Sequence, residues 1–387
     1  MDIKQLDKEY IAGTYARFDL QLVNGKGSLV YDEKGKEYID LATGIAVNAF
    51  GVADEVWQNA VITQLGKIQH TSNLYYSEPC VLLAQELCER SGMKKVFFSN
   101  SGAEANETAI KIARKYGETK RGKDCNVIIT LKNSFHGRTI TTLSATGQEV
   151  FHEHFTPMTE GFVHATANDF ADMERLVSKY NCCGLFVELV QGEGGVSALE
   201  EEYVQKIYAL AKAKDLLFMV DEVQTGNGRT GELYAYMAYG ITPDVVTTAK
   251  GLGGGLPIGA TMLGEQVKDL FTPGMNGSTF GGNPVACAGA LSILQRIDEP
   301  LLASVRKKSA YIFDELSGTK GVKSVSGKGL MIGIETEKDA SAVINECMQR
   351  GVLVIKAKNK IRLLPALNIP ENVLQKAIKI VKEVISQ

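Results

Sequence analysis

The sequence predicts an α/β protein with a mostly parallel sheet, followed by a smaller α+β C-terminal domain. Two observations carry this. Short apolar or β-branched runs repeatedly end in a polar or glycine-rich cluster, from which several lead on into helical patterns; strands read this way when helices cover both faces of a sheet. From about residue 285 the pattern changes to helices interleaved with two longer strand signals.

The elements follow in order. Within residues 1–50, LVNGKGSLVYDEKGKEYIDL places GKG and EKGKE turns between apolar runs, which predicts a small antiparallel meander. KKVFFSN (94–100) leads into the helical SGAEANETAIKIARK (101–115), and NVIITLKNS (126–134) leads into FHGRT. GLFVELV (184–190) precedes QGEGG, LLFMVDE (216–222) precedes VQTGNGRTG, and DVVTTAK (244–250) precedes GLGGG. Ligands of such sheets sit beyond the carboxyl ends of the strands, which is where these clusters fall. After residue 285 come a long helical pattern, VKSVSGKGLMIGIET, a helix, VLVIKAKNKIRLLPAL and a final helix. The expected division is an N-terminal segment 1–50 packing with the small domain, a large domain 51–284 and a small domain 285–387.

Composition excludes several function classes. The 387 residues suffice for two or three domains at ~150 residues each. Formal charge is 42 − 45 = −3, without the basic excess of a nucleic-acid binder. Seven cysteines, odd in number and without a C-x-x-C pair, read as free thiols of a reducing compartment. MDIKQLDKEY carries no apolar signal segment, and no run approaches the ~20 apolar residues of a membrane span. The expectation is a cytoplasmic protein that binds neither membrane nor nucleic acid.

Three clusters point to chemistry. In SNSGAEANETAIK, Ser101, Gly102 and Ala103 open a helix, whose free N–H groups and dipole suit a phosphate; an N-cap with nothing bound gives the same pattern. Asp221 closes an apolar strand, where a carboxylate needs a partner. A protonated ring nitrogen of a cofactor is one partner, and a structural Arg or Lys is the other. Lys250 ends a strand and enters Gly251, Gly253, Gly254, Gly255 and Gly259, so a flat group can approach the backbone. A partly desolvated lysine there becomes a nucleophilic amine. A P-loop needs its Lys after the glycines; here it comes first. Phe135, His136 and Arg138 in SFHGRT offer a ring face, a hydrogen-bonding imidazole and a carboxylate fork. For His136 a purely structural histidine remains open. His152 and His154 lack a supporting ligand cluster, so no metal is expected.

Taken together, YARFDLQLVNGKG, LATGIAVNAFG, FFSNSGAEANETAIK, SFHGRT, VQGEGGV, VDEVQTGNGRTG, TTAKGLGGGLPIGA, NGSTFGGNPVA and IRLLPAL resemble the class III, fold-type I pyridoxal-phosphate aminotransferases. Within them the chain is most similar to the acetylornithine aminotransferase branch. Asp221 and Lys250, 250 − 221 = 29 residues apart, stand among them in the family's order. The resemblance implies a seven-stranded, mostly parallel sheet and pyridoxal 5′-phosphate linked to Lys250. It implies Asp221 at the ring nitrogen, Gln224 at the ring hydroxyl, and Phe135 with His136 and Val223 about the ring. Ser101, Gly102 and Ala103 match the phosphate cup. Ser278 and Thr279 match a phosphate contact donated by a neighbouring subunit, which implies a homodimer with the site at its interface.

For substrates, Tyr15 and Arg138 match positions that hold an ornithine-type donor's α-carboxylate. Arg362 matches the arginine that grips 2-oxoglutarate, and Glu193 the acid that masks it. The implied reaction moves the δ-amine of N-acetylornithine to 2-oxoglutarate in arginine biosynthesis. The alternatives are 4-aminobutyrate, succinylornithine or succinyldiaminopimelate aminotransferases and, more remotely, a fold-related decarboxylase or aminomutase. Ile45 stands where ornithine δ-aminotransferases tend to carry tyrosine, which disfavours free ornithine. The chain also lacks the family's G-H-x-H-P at Gly51–Glu55 and has Leu189 where proline usually follows Glu188.

Overall fold

The computed structural model describes residues 2–387. Its largest sheet has seven strands, in the spatial order Lys95–Ser99, Gly259–Leu263, Val245–Thr248, Leu217–Asp221, Cys182–Val187, Val127–Leu131 and Phe162–Ala165. The last five are mutually parallel, with Asp221 in register with Thr247. Gly259–Leu263 runs antiparallel to both of its neighbours. Leu217–Asp221, Cys182–Val187 and Val245–Thr248 are buried along their whole lengths, which is why they read as unbroken apolar runs rather than alternating ones.

This topology decides where polar residues can gather. Lys95–Ser99 and the five parallel strands all end at one edge, while the antiparallel Gly259–Leu263 begins there. Asn100–Ala103, Ser134–Arg138, Glu188, Asp221–Gln224, Lys250 and Leu256–Ile258 therefore meet at that edge, most of them on one cavity.

Two sheets flank the large one. Leu22–Lys26, Leu29–Asp32 and Glu37–Asp40 form the expected meander, extended by a parallel pairing of Glu37–Asp40 with Val352–Leu353. Val322–Lys328, Met331–Thr336, Lys360–Leu363 and Ile355–Ala357 form an antiparallel sheet. Packed with these are helices Glu299–Leu316, Ala340–Gln349 and Glu371–Ser386. The long helical pattern after residue 285 proves to be two helices, Pro284–Leu294 and Glu299–Leu316. The second starts afresh because Asp298 caps it and Pro300 sits in its first turn.

At Gly51–Glu55 the chain has its own local solution. Val52 bridges to Gly27, and Asp54 caps helix Glu55–Leu65 while accepting two hydrogen bonds from Arg296, at 2.8 and 3.1 Å.

Candidate active site

The strand-edge cavity encloses about 390 Å³, within the range of small-molecule sites. Helix Gly102–Arg121 opens onto it. The Ser101 side chain accepts from Glu104 N at 3.2 Å, and the Glu104 carboxylate accepts from Asn100 N at 2.6 Å. This reciprocal cap fixes the first turn and leaves other leading N–H groups outside the helical ladder. Two glycines let the mouth close. A Cβ on Gly102 would stand 2.6 Å from Val223 Cγ1, and one on Gly259 would stand 2.2 Å from the Ser101 carbonyl oxygen.

Asp221 is buried at the strand end. Its Oδ1 accepts from Val223 N at 3.0 Å, and its Oδ2 from Asn106 Nδ2 at 2.7 Å and His136 Nδ1 at 2.8 Å. The His136 ring stacks on Phe186 with centroids 4.5 Å apart, and its buried Nε2 has no partner among the described residues. A carboxylate can only accept, so Nδ1 holds the ring hydrogen. Among the described residues no Lys or Arg pairs with Asp221. A buried carboxylate with no Lys or Arg partner fits a cationic group brought by a ligand.

Lys250 lines the same cavity in a left-handed backbone conformation, φ +46°. Such strain in a non-glycine residue collects at functional sites. Burial lowers its ammonium pKa, against the opposing pull of Glu193 and Asp221, which favours the neutral amine.

Glu188, whose place was open from sequence, is fully enclosed and organises the loops. It accepts from Phe135 N at 2.8 Å and from Gly192 N at 3.3 Å. Burial, reinforced by the Asp221 charge, pushes its carboxyl well above the usual range. Beside it, Arg362 donates to Glu193 at 2.6 Å and to the Gln224 side chain at 3.1 Å. Arg362 is 2% exposed and Glu193 27%. Burial raises the Glu193 carboxyl, but the charge and hydrogen bond of Arg362 bring it below the ordinary value overall.

Of the residues singled out from sequence, Ser101, Gly102, Ala103, Phe135, His136, Arg138, Asp221, Val223, Gln224 and Lys250 share this cavity. Glu193 and Arg362 adjoin it through Gln224. Arg138 is exposed, its guanidinium 4.2 Å from the Phe151 ring centroid. Tyr15 stays on the surface, 73% exposed. Ser278 and Thr279 line a different cavity, of about 870 Å³, although the Ser278 hydroxyl accepts from Asn100 Nδ2 at 3.3 Å. Sequence reasoning missed Asn106 and the Leu256–Ile258 wall. A polar residue inside a helix gives no signal of its own, and the wall is ordinary apolar chain.

Sheet order, strand-edge cavity and the flanking α+β sheet define the class: a fold-type I enzyme of the pyridoxal-phosphate kind. The chain belongs to the Aminotransferase class-III family, whose sequence profile matches residues 10–385. It is 48% identical over 387 residues to a protein named acetylornithine aminotransferase from Haemophilus ducreyi, covering all of this chain and 98% of that one. It is similar to the N-acetylornithine aminotransferase of Stenotrophomonas maltophilia (TM-score 0.86, 34% identity, 99% and 98% of the two chains). It also resembles a Toxoplasma gondii ornithine aminotransferase described with partial occupancy of PLP at its active site (TM-score 0.94, 30% identity, 99% and 93%). Among the described residues no helix is long and apolar enough to cross a membrane.

Proposed function

We propose that this aminotransferase moves the δ-amino group of N-acetylornithine to 2-oxoglutarate, yielding N-acetylglutamate 5-semialdehyde and glutamate in the arginine route. The observation that carries this is the ion pair between buried Arg362 and partly exposed Glu193, 2.6 Å apart beside the Lys250 cavity. A donor reacting through a terminal amine brings no carboxylate to the reacting carbon, whereas 2-oxoglutarate brings one. One pocket serves both if Glu193 neutralises Arg362 for the first and swings aside for the second. The relatives named for acetylornithine support the donor.

Lys250 would hold pyridoxal phosphate covalently through Nζ, with its phosphate at the Ser101–Ala103 helix mouth and its ring nitrogen facing Asp221. When bound, that group supplies an electron sink for the C–H bond beside the substrate amine. The lowered pKa of Lys250 leaves Nζ free to attack, and later to move the proton at the substrate carbon. Asp221, held by three donors, would keep a cationic ring nitrogen in place. Gln224 would reach the ring hydroxyl, and Phe135 and Val223 would flank the ring. Arg138 would take the donor's α-carboxylate.

The same reading makes the active unit a homodimer. Leu74 lines the Ser278–Thr279 cavity, and its chain neighbours Tyr75 and Tyr76, like Phe280 next to Thr279, are exposed, Tyr76 fully so. A second copy is the occupant that would bury them and receive Thr279 at its own site.

The test is glutamate formation from 2-oxoglutarate with N-acetylornithine, succinylornithine, ornithine or 4-aminobutyrate supplied separately. The expected order puts N-acetylornithine first. A clear preference for 4-aminobutyrate overturns the donor assignment.

A further inference from the structure

Helix Gly102–Arg121 does more than open onto the cavity. One turn beyond Gly102, on the same face, Asn106 also lines it and is 1% exposed. Its Nδ2 donates to Asp221 Oδ2 at 2.7 Å and to the His136 carbonyl oxygen at 2.7 Å, which uses both amide hydrogens. Both partners are acceptors only, so a flipped amide would set oxygen against oxygen, and the orientation is fixed. The remaining Oδ1 is buried and has no partner among the described residues.

That orphan is costly, and its retention calls for a gain elsewhere. An apolar residue would avoid the orphan but leave Asp221 one donor short. An aspartate would bring a second carboxylate against the first, and the two would compete for a proton. Lysine would neutralise Asp221 from the protein side and remove its attraction for a ligand cation. Asparagine gives two hydrogens and no charge. It also ties Asp221 to the same rigid helix whose first turn faces the other end of the cavity, so one element spaces both.

We propose that Asn106 is a positioning residue that holds the Asp221 side chain aimed at the ring nitrogen of the cofactor. This rests on the reading that Asp221 faces that nitrogen. It is separable from a packing role, because its effect must depend on the nitrogen being there.

The experiment is equilibrium binding to the apoprotein of pyridoxal phosphate and of its 1-deaza analogue, in which C–H replaces the ring nitrogen. Wild type and Asn106→Ala are compared, with folding checked by circular dichroism and thermal midpoint. The wild type should prefer the pyridine form. The variant should lose about tenfold of that preference, the scale of one hydrogen bond to a charged group, with analogue affinity nearly unchanged. Equal weakening of both ligands, or an unchanged preference, overturns the proposal. Should Asn106→Ala not fold, Asn106→Ser keeps one donor and must show a reduced preference, and an unchanged one overturns the proposal equally. A wild type that does not distinguish the two ligands instead refutes the placing of Asp221 at the ring nitrogen, and this proposal with it.

Discussion

Arg362→Ala separates the two halves of the reaction. The guanidinium is 2% exposed and its partners are one carboxylate and one amide, so solvent has little access to replace it. Losing a buried charge that grips a substrate carboxylate costs about 3–5 kcal/mol, or roughly two to three and a half powers of ten in rate. That loss falls on the 2-oxoglutarate half-reaction. With the donor, Arg362 is already neutralised by Glu193, so removing it should cost about a few-fold at most. Single-turnover absorbance of the bound cofactor, with donor alone and then with 2-oxoglutarate alone, reads the two rates separately. The fold should tolerate the change, because Glu193 is 27% exposed and can rehydrate. Stability carries a pH signature as well. Arg362 brings the Glu193 carboxyl below its ordinary value, so the pair stabilises the protein above the unfolded glutamate range. That contribution fades as pH falls through the folded value, so the gap between wild type and variant should narrow in acid. Equal losses in both half-reactions would refute the switch.

Other expectations are independent of that pair. Glu222 is fully buried, and burial lifts its carboxyl to about 7, against the hydrogen bonds it accepts from Thr225 and Tyr236 N. A raised acid loses stability as pH rises from its unfolded to its folded value. Glu222→Gln should flatten urea midpoints between pH 5 and 7 and gain about 3 kcal/mol at pH 8; an unchanged slope contradicts this. Gly259→Ala puts a Cβ 2.2 Å from the Ser101 carbonyl, so cofactor affinity should fall about tenfold as the helix mouth is displaced. Wild-type affinity would show that the mouth plays no part in binding. Tyr76→Glu places a charge on the exposed surface at residues 74–76, and sedimentation should show a dimer dissociating; an unaltered sedimentation coefficient removes that surface from the interface.

The sheet was legible where burial on both faces writes itself as continuous apolar sequence, as in LLFMVDE and DVVTTAK. Two strands escaped that reading. Phe162–Ala165 is a short strand at the sheet edge, only partly buried, and Gly259–Leu263 begins with the glycine of a glycine-rich loop. The site was legible where polar residues end apolar strands, since Asp221 and Lys250 are conspicuous in such company. Asn106 was not, because its importance lies in contacts with residues 115 and 30 positions away. Periodicity within a helix cannot announce such contacts. Tyr15 and Thr279 were chosen by resemblance alone, and in a single chain they lie outside the Lys250 cavity.

The most direct test of the whole account is chemical. Reduce the holoenzyme with borohydride, digest it and map the modified peptide. The label should sit on Lys250 alone, within TTAKGLGGG. A label on another lysine, or none, would contradict the account at its root.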